Sequence, residues 1–170
     1  MFTTRYQKGV AITELKIALT CSLLLSVVLY VAVIRPLLNL ADANSIESTV
    51  YATQEAAGRY YGKDISLSRC FNPTSSLSIN NLINDKFLAP DFVIGKNFQI
   101  SVNYVLQNNG SWSRASQTTV TLTFPSSNEL NRLAGYLDAL QLSSTQLLFT
   151  QPIAFDVDWR SFNPQTGCIN

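Results

Sequence analysis

From Ile17 to Ile34 the chain carries no charge and only a few small polar groups, so apolar side chains face every direction. A helix that is apolar all round has no amphipathic face to lay on a core, and 18 uncharged residues are enough to cross a bilayer. Extending the run back to Val10 adds further length. Pro36 is expected to interrupt or kink this helix, because it lacks a backbone donor and crowds the preceding turn. After it the pattern changes. Ile46, Val50, Thr53, Ala57 and Tyr60 recur at spacings of three and four, a single apolar stripe, with Asp42, Glu47, Gln54 and Glu55 around it. Leu37 to Tyr60 therefore reads as an amphipathic helix packed on its own domain, with Gly58 and Gly62 near its expected end.

Beyond Tyr61 the period shifts. Asn72-Pro73 and Ala89-Pro90 break regular structure, and Ser78 to Phe87 holds a short helix with Ile79, Leu82 and Ile83 inward. Phe98, Ile100, Val102, Tyr104 and Leu106 alternate with polar residues, Asn108-Asn109-Gly110 marks a tight turn, and Val120, Leu122 and Phe124 alternate with Thr119, Thr121 and Thr123. These are the two strands of a hairpin. Ser126 and Glu129 have capping-box spacing before Leu130, Leu133, Ala134, Leu137 and Leu140, the expected buried face of a further helix. Gln146 to Gln151 reads as a strand, Pro152 as a break, and Ile153, Phe155, Val157 and Trp159 as a last strand. The expected fold class is α+β: a long N-terminal helix, transmembrane and then amphipathic, packed on an antiparallel sheet of about four strands, with an extra helix between strands.

Composition narrows the chemistry. The 170 residues contain no histidine and a formal charge of +1. Ser-His-Asp and Cys-His catalysis and His-ligated zinc are thereby excluded, and no basic field suggests a nucleic-acid partner. No cofactor, metal site or catalytic residue is assigned. Cys21 falls in the apolar run. Ala18-Leu19-Thr20 before it is a poor lipoprotein signal. Cys70 and Cys168 lie in the polar remainder with no CxxC spacing, and a disulfide between them is expected if this part is extracytoplasmic. Closing so long a loop contributes up to about 4–5 kcal/mol in the chain-entropy model. Arg5, Lys8 and Lys16 on the N-terminal side, against Arg35 nearly alone after the run, orient the N-terminus toward the cytoplasm.

The register at the N-terminus is more specific. Lys8-Gly9 closes a short polar leader, and Glu14 is the fifth residue after the glycine, inside the start of the apolar segment. A carboxylate within a membrane segment is costly and marks a functional site, with a partner to be named. Cleavage after Gly9 would supply one, the α-ammonium of Val10 one helical turn away. This arrangement, over Arg5 to Leu40, resembles the N-terminus of type IV prepilins and pseudopilins. The resemblance implies a basic leader cut after Gly9 by a prepilin peptidase, methylation of the new amine on Val10, and a Glu14 that supports assembly. The sequence departs from the major pilins: Val10 stands in place of the usual Phe, Lys16 lies inside the segment, and the nearest proline to Val31 is Pro36.

The resulting organisation is a leader over 1–9, a transmembrane and assembly helix over 10–35, its amphipathic half over 36–62, and a globular extracytoplasmic head over 63–170. The resemblance implies a minor pilin or pseudopilin of a type IV pilus or type II secretion-like filament. Its partners would be other pilin subunits, the prepilin peptidase, the inner-membrane assembly platform and the bacterial inner membrane itself, before the pilus, periplasm or cell surface. Two other functions are carried as alternatives: a membrane-anchored binding or adhesion module, and a secreted domain released after Ala43. Trp112 in the hairpin turn is a candidate adhesive contact, with packing on the hairpin as the simpler role. Asp156 and Asp158 share a strand face. Some pseudopilins hold calcium in a C-terminal loop, but two alternating acids fit an ordinary solvated face.

Overall fold

The computed structural model describes residues 4–154 and 161–169. The chain divides into two units, 1–42 and 43–170.

In the first unit, helix α1 (Thr4–Leu29) passes into a π-helical turn at Tyr30–Ile34, and α2 (Arg35–Ser68) begins directly after it. The π turn lies just before Pro36. The Arg35 N–H donates to the Tyr30 carbonyl, five residues back. Pro36 has no N–H to give, and its ring crowds the preceding turn; a widened turn at that point accommodates both and keeps the helix going. Every residue from Thr13 to Arg35 is exposed. The hydroxyls are satisfied internally: Thr20 donates to the Lys16 and Ile17 carbonyls, Ser22 to Leu19 and Ser26 to Ser22. A helix whose backbone and hydroxyl groups bond within itself is the form a chain can take in hydrocarbon.

In the second unit the remainder of α2 packs on a sheet. Ile46, Val50, Thr53, Ala57 and Tyr60 are all buried, as the stripe predicts. Ile46, Val50, Ala57 and Tyr60 join a cluster with Val102, Val120, Leu122, Leu147 and Phe149 from the inner face of the sheet. Four strands build it: β1 (Gln99–Asn108), β2 (Ser113–Thr123), β3 (Leu140–Ser143) and β4 (Gln146–Pro152). Their order is β1-β2-β4-β3, and every neighbouring pair is antiparallel. Ser101, Thr121, Leu148 and Leu140 form one cross-strand row on the outer face. Helix α3 (Ile79–Asn84) starts at Ser78, whose hydroxyl accepts from Asn81 N–H, and buries Ile79 and Leu82. Helix α4 (Ser127–Ala134) lies between β2 and β3, and the Ser126 hydroxyl accepts from Glu129 N–H as the capping box requires.

Several elements differ from the sequence reading. Helix α2 does not end at Gly58 or Gly62 but runs to Ser68. Its last turns carry Tyr61 and Asp64, both buried, and their tertiary bonds outweigh a cost of about 1 kcal/mol per helical glycine. Helix α4 stops at Ala134, with Gly135 as its cap, so Leu140 is not on a buried helix face. It lies in β3 and is 64% exposed. The first hairpin is longer than expected, with β2 starting at Ser113. At Val105/Leu106 the ladder skips Ser116, a bulge on β2; Leu106 stays opposite the buried Ala115 but is itself 49% exposed. The fourth strand is β3. Of the expected strand over Ile153–Trp159, Ile153 donates to the Ser116 carbonyl, while residues 155–160, including Asp156 and Asp158, lie outside the described residues.

Candidate functional site

The residues singled out by the sequence fall in two separate places. Gly9, Val10 and Glu14 lie on α1, where Val10 and Glu14 are one turn apart. Glu14 is exposed, and so are Leu15 and Ile17 beside it. Neither Glu14 nor Lys16 forms a salt bridge among the described residues. A carboxylate at the start of a long apolar helix attracts a cation that is equally removed from water. Cys21 is a free, exposed thiol on the same helix.

The second place is the end of the head that holds Cys70 and Cys168. The two are joined by a disulfide, with Cα atoms 3.9 Å apart, and the backbones on either side are bonded as well. Phe71 N–H donates to the Gly167 carbonyl and Ile169 N–H to that of Arg69. Arg69 follows α2 in the left-handed region (φ 57°), and its N–H still reaches back to the Ile65 carbonyl. Two short strands, β5 (Phe162–Asn163) and β6 (Cys168–Ile169), form a small sheet of their own. Trp112 belongs to this lobe. Its Nε1–H donates to the Pro164 carbonyl at 2.9 Å, and its ring centroid lies 6.2 Å from that of Phe71 and 5.5 Å from that of Phe162. Gly167 (φ 69°) lies against the indole; a Cβ there would come within 2.3 Å of the ring. The Trp112 side chain is thus half-buried against the C-terminal segment. It is neither an open adhesive contact nor packed only on its own hairpin.

Two supporting residues were not singled out by the sequence. The Tyr61 hydroxyl donates to the Phe71 carbonyl and accepts from Ala115 N–H at 3.1 Å, tying α2 to the disulfide loop and to β2. Burial pushes the Tyr61 hydroxyl above its ordinary pKa, against smaller opposing effects. Asp64 accepts from Thr74 N–H at 2.7 Å, from Ser75 N–H at 3.3 Å and from both hydroxyls. Burial pushes its carboxyl up, but these hydrogen bonds together outweigh burial and hold it below the ordinary carboxylate range. One sequence signal was available: an acid near a helix C-terminus opposes the helix dipole, so a buried Asp64 there must have other donors.

No group of three or more His, Cys, Asp or Glu residues is placed to hold a metal among the described residues. One helix, Thr13–Ser68, is long and apolar enough to cross a membrane by length and composition. No protein-family model, no curated protein and no solved structure matches the chain.

Proposed function

We propose that this protein is a structural subunit of an extracytoplasmic filament, a minor pilin or pseudopilin, held in the bacterial inner membrane and assembled through its N-terminal helix. In this reading the N-terminus is cytoplasmic, a prepilin peptidase removes residues 1–9, and the amine of Val10 is methylated. The observation that carries the reading is the register of Gly9 and Glu14 ahead of a helix that is exposed on every side. Such a helix needs an apolar environment, which a bilayer supplies first and a bundle of like helices supplies next. In the bundle, Glu14 of one subunit meets the Val10 ammonium of another. A buried pair of this kind is tolerable where either charge alone is not, so it sets the register of one helix against its neighbour.

A head closed by a disulfide and a helix-on-sheet core fits a subunit that functions outside the cytoplasm. Trp112 is half-buried against the C-terminal segment, so its packing there accounts for it without an adhesive partner. The test is the mass of the mature N-terminal peptide. The reading expects it to begin at a methylated Val10 and expects Gly9→Val to keep the leader. Retained Met1 in the wild type would support a simple membrane anchor, and a start at Asn44 a secreted domain. Either result would overturn the filament reading.

A further inference from the structure

Among the described residues the four-stranded sheet has two open edges, and they differ in the way that two halves of a contact differ. One edge is β1, ten residues long, and the other is β3, four residues long. Natural proteins blunt exposed edges with lysine, proline or other charges, because unpaired backbone groups invite another strand. Gln99–Asn108 and Leu140–Ser143 contain no charged residue and no proline; what interrupts them is a bulge opposite Val105/Leu106 and another at Gln141/Ser143. A groove of about 640 Å³ runs along β1 from Phe98 to Asn103, bounded across the gap by Leu77, Ile79 and Val93. On the opposite edge, Leu140 and Leu142 are more than half exposed.

Strand direction makes the two edges compatible. Directions alternate through β1, β2, β4 and β3, so β1 and β3 run oppositely. A second copy displaced along the sheet therefore presents its β3 antiparallel to β1 of the first. In that direction, residues N-terminal to β3 run toward the C-terminal end of β1. Asp138, exposed and two residues before β3, would approach Arg114, whose guanidinium lies at that end and donates to the Gln107 side-chain carbonyl. Neither Asp138 nor Arg114 forms a salt bridge among the described residues.

We propose that the free edge of β1 is a docking surface for a second copy of this chain, whose β3 extends the sheet antiparallel and brings its Asp138 toward Arg114. The contact is heterologous, because each copy uses one edge and offers the other, and a heterologous contact that does not close on itself propagates. It does not depend on leader cleavage or on Glu14, since heads anchored in one membrane can pair in the same way.

The experiment uses the full chain in its membrane, in a Cys21→Ser background, with two differently tagged copies expressed together. One carries Leu140→Cys and the other Ser101→Cys, Asn103→Cys or Val105→Cys, all on the outer face. Mild oxidation should give a mixed-tag dimer for at least one pair. None should form with Leu67→Cys, an exposed position on α2. Asp138→Arg should abolish the dimer, and adding Arg114→Asp should restore it. Intact Cys70–Cys168 in each variant, shown by peptide mapping, establishes that the head is folded. Absence of the mixed dimer in folded protein, equal cross-linking to Leu67→Cys, or a Ser101→Cys self-dimer in its place would overturn the proposal. This readout is separate from N-terminal mass, so its failure and that of the filament reading are distinguishable.

Discussion

Residues 13–35 and residues 43–68 are both helical, yet they handle apolar surface in opposite ways. In the first stretch the side chains are apolar on every face and none is buried. In the second, one stripe is apolar and all of it is buried against the sheet. Helical geometry is common to both, so the difference lies in what surrounds each. The stripe from Ile46 to Tyr60 is stabilised by a core that the chain itself supplies. The stretch from Ile17 to Ile34 has no such core among the described residues, and substitutions in the two should therefore be felt in different measurements.

The largest expected effect lies in the head. Leu122 is completely buried, and Leu122→Ala should destabilise the head by about 2–5 kcal/mol. Leu24, 67% exposed, should behave differently. Leu24→Ala is expected to leave head unfolding within about 0.5 kcal/mol of wild type. Denaturant unfolding in detergent, followed by Trp112 and near-ultraviolet signals, measures both. Equal destabilisation by the two substitutions would erase the contrast.

The disulfide comes next. Joining Cys70 to Cys168 restrains a long loop, and Cys70→Ser with Cys168→Ser should cost about 2–5 kcal/mol. The loss should appear first as protease cleavage after Ser161, in the segment whose aromatic residue Phe162 packs on Trp112 and Phe71. Unchanged protease resistance would mean that the aromatic contacts suffice to hold the C-terminal segment.

Much of this architecture was legible in the sequence, for a definite reason. The α2 stripe, the inward positions Val102, Val120 and Leu122, and the Ser126 cap each follow from a local period or a local hydrogen bond. What the sequence hid depended on distant partners. Gly58 and Gly62 argue for a helix end, and only the bonds that Tyr61 and Asp64 make with Phe71, Thr74 and Ala115 explain why α2 continues. Leu140 keeps the spacing of a buried helical position, yet Gly135 ends the helix before it and an edge strand exposes it. Trp112 sits in a turn in the sequence, and its neighbours Phe71, Phe162 and Pro164 come from distant parts of the chain. The Cys70–Cys168 pairing was legible, while the supporting residues of the disulfide lobe were not; Gly9, Val10 and Glu14 are read from register alone, and their role belongs to the proposal.

A smaller effect is expected from pH. The Asp64 carboxyl is held below its ordinary value in the folded head. The stability that this adds is fully present above the unfolded carboxyl value of about 3.9 and is lost as pH falls through the lower folded value. Asp64→Asn should therefore be less stable than wild type at neutral pH, and the gap should narrow below about pH 4. A gap independent of pH would mean that the hydrogen bonds to Thr74 and Ser75 do not need the charge.

The proposed assembly role of the N-terminal helix rests on Glu14 and is tested most directly by comparing wild type, Glu14→Ala and Glu14→Gln. The measurement is the amount of each protein in sheared filaments relative to the amount in the membrane fraction. Removing the acid makes the segment more apolar, so insertion should be at least as good, and cleavage after Gly9 should survive. What is lost is the partner of a neighbouring Val10 ammonium; leaving that charge unpaired in a buried bundle costs about 3–5 kcal/mol. The account predicts normal membrane levels and a loss of incorporation by orders of magnitude for Glu14→Ala, with Glu14→Gln also impaired because it keeps the shape but not the charge. Wild-type incorporation of Glu14→Ala at equal membrane level would contradict it.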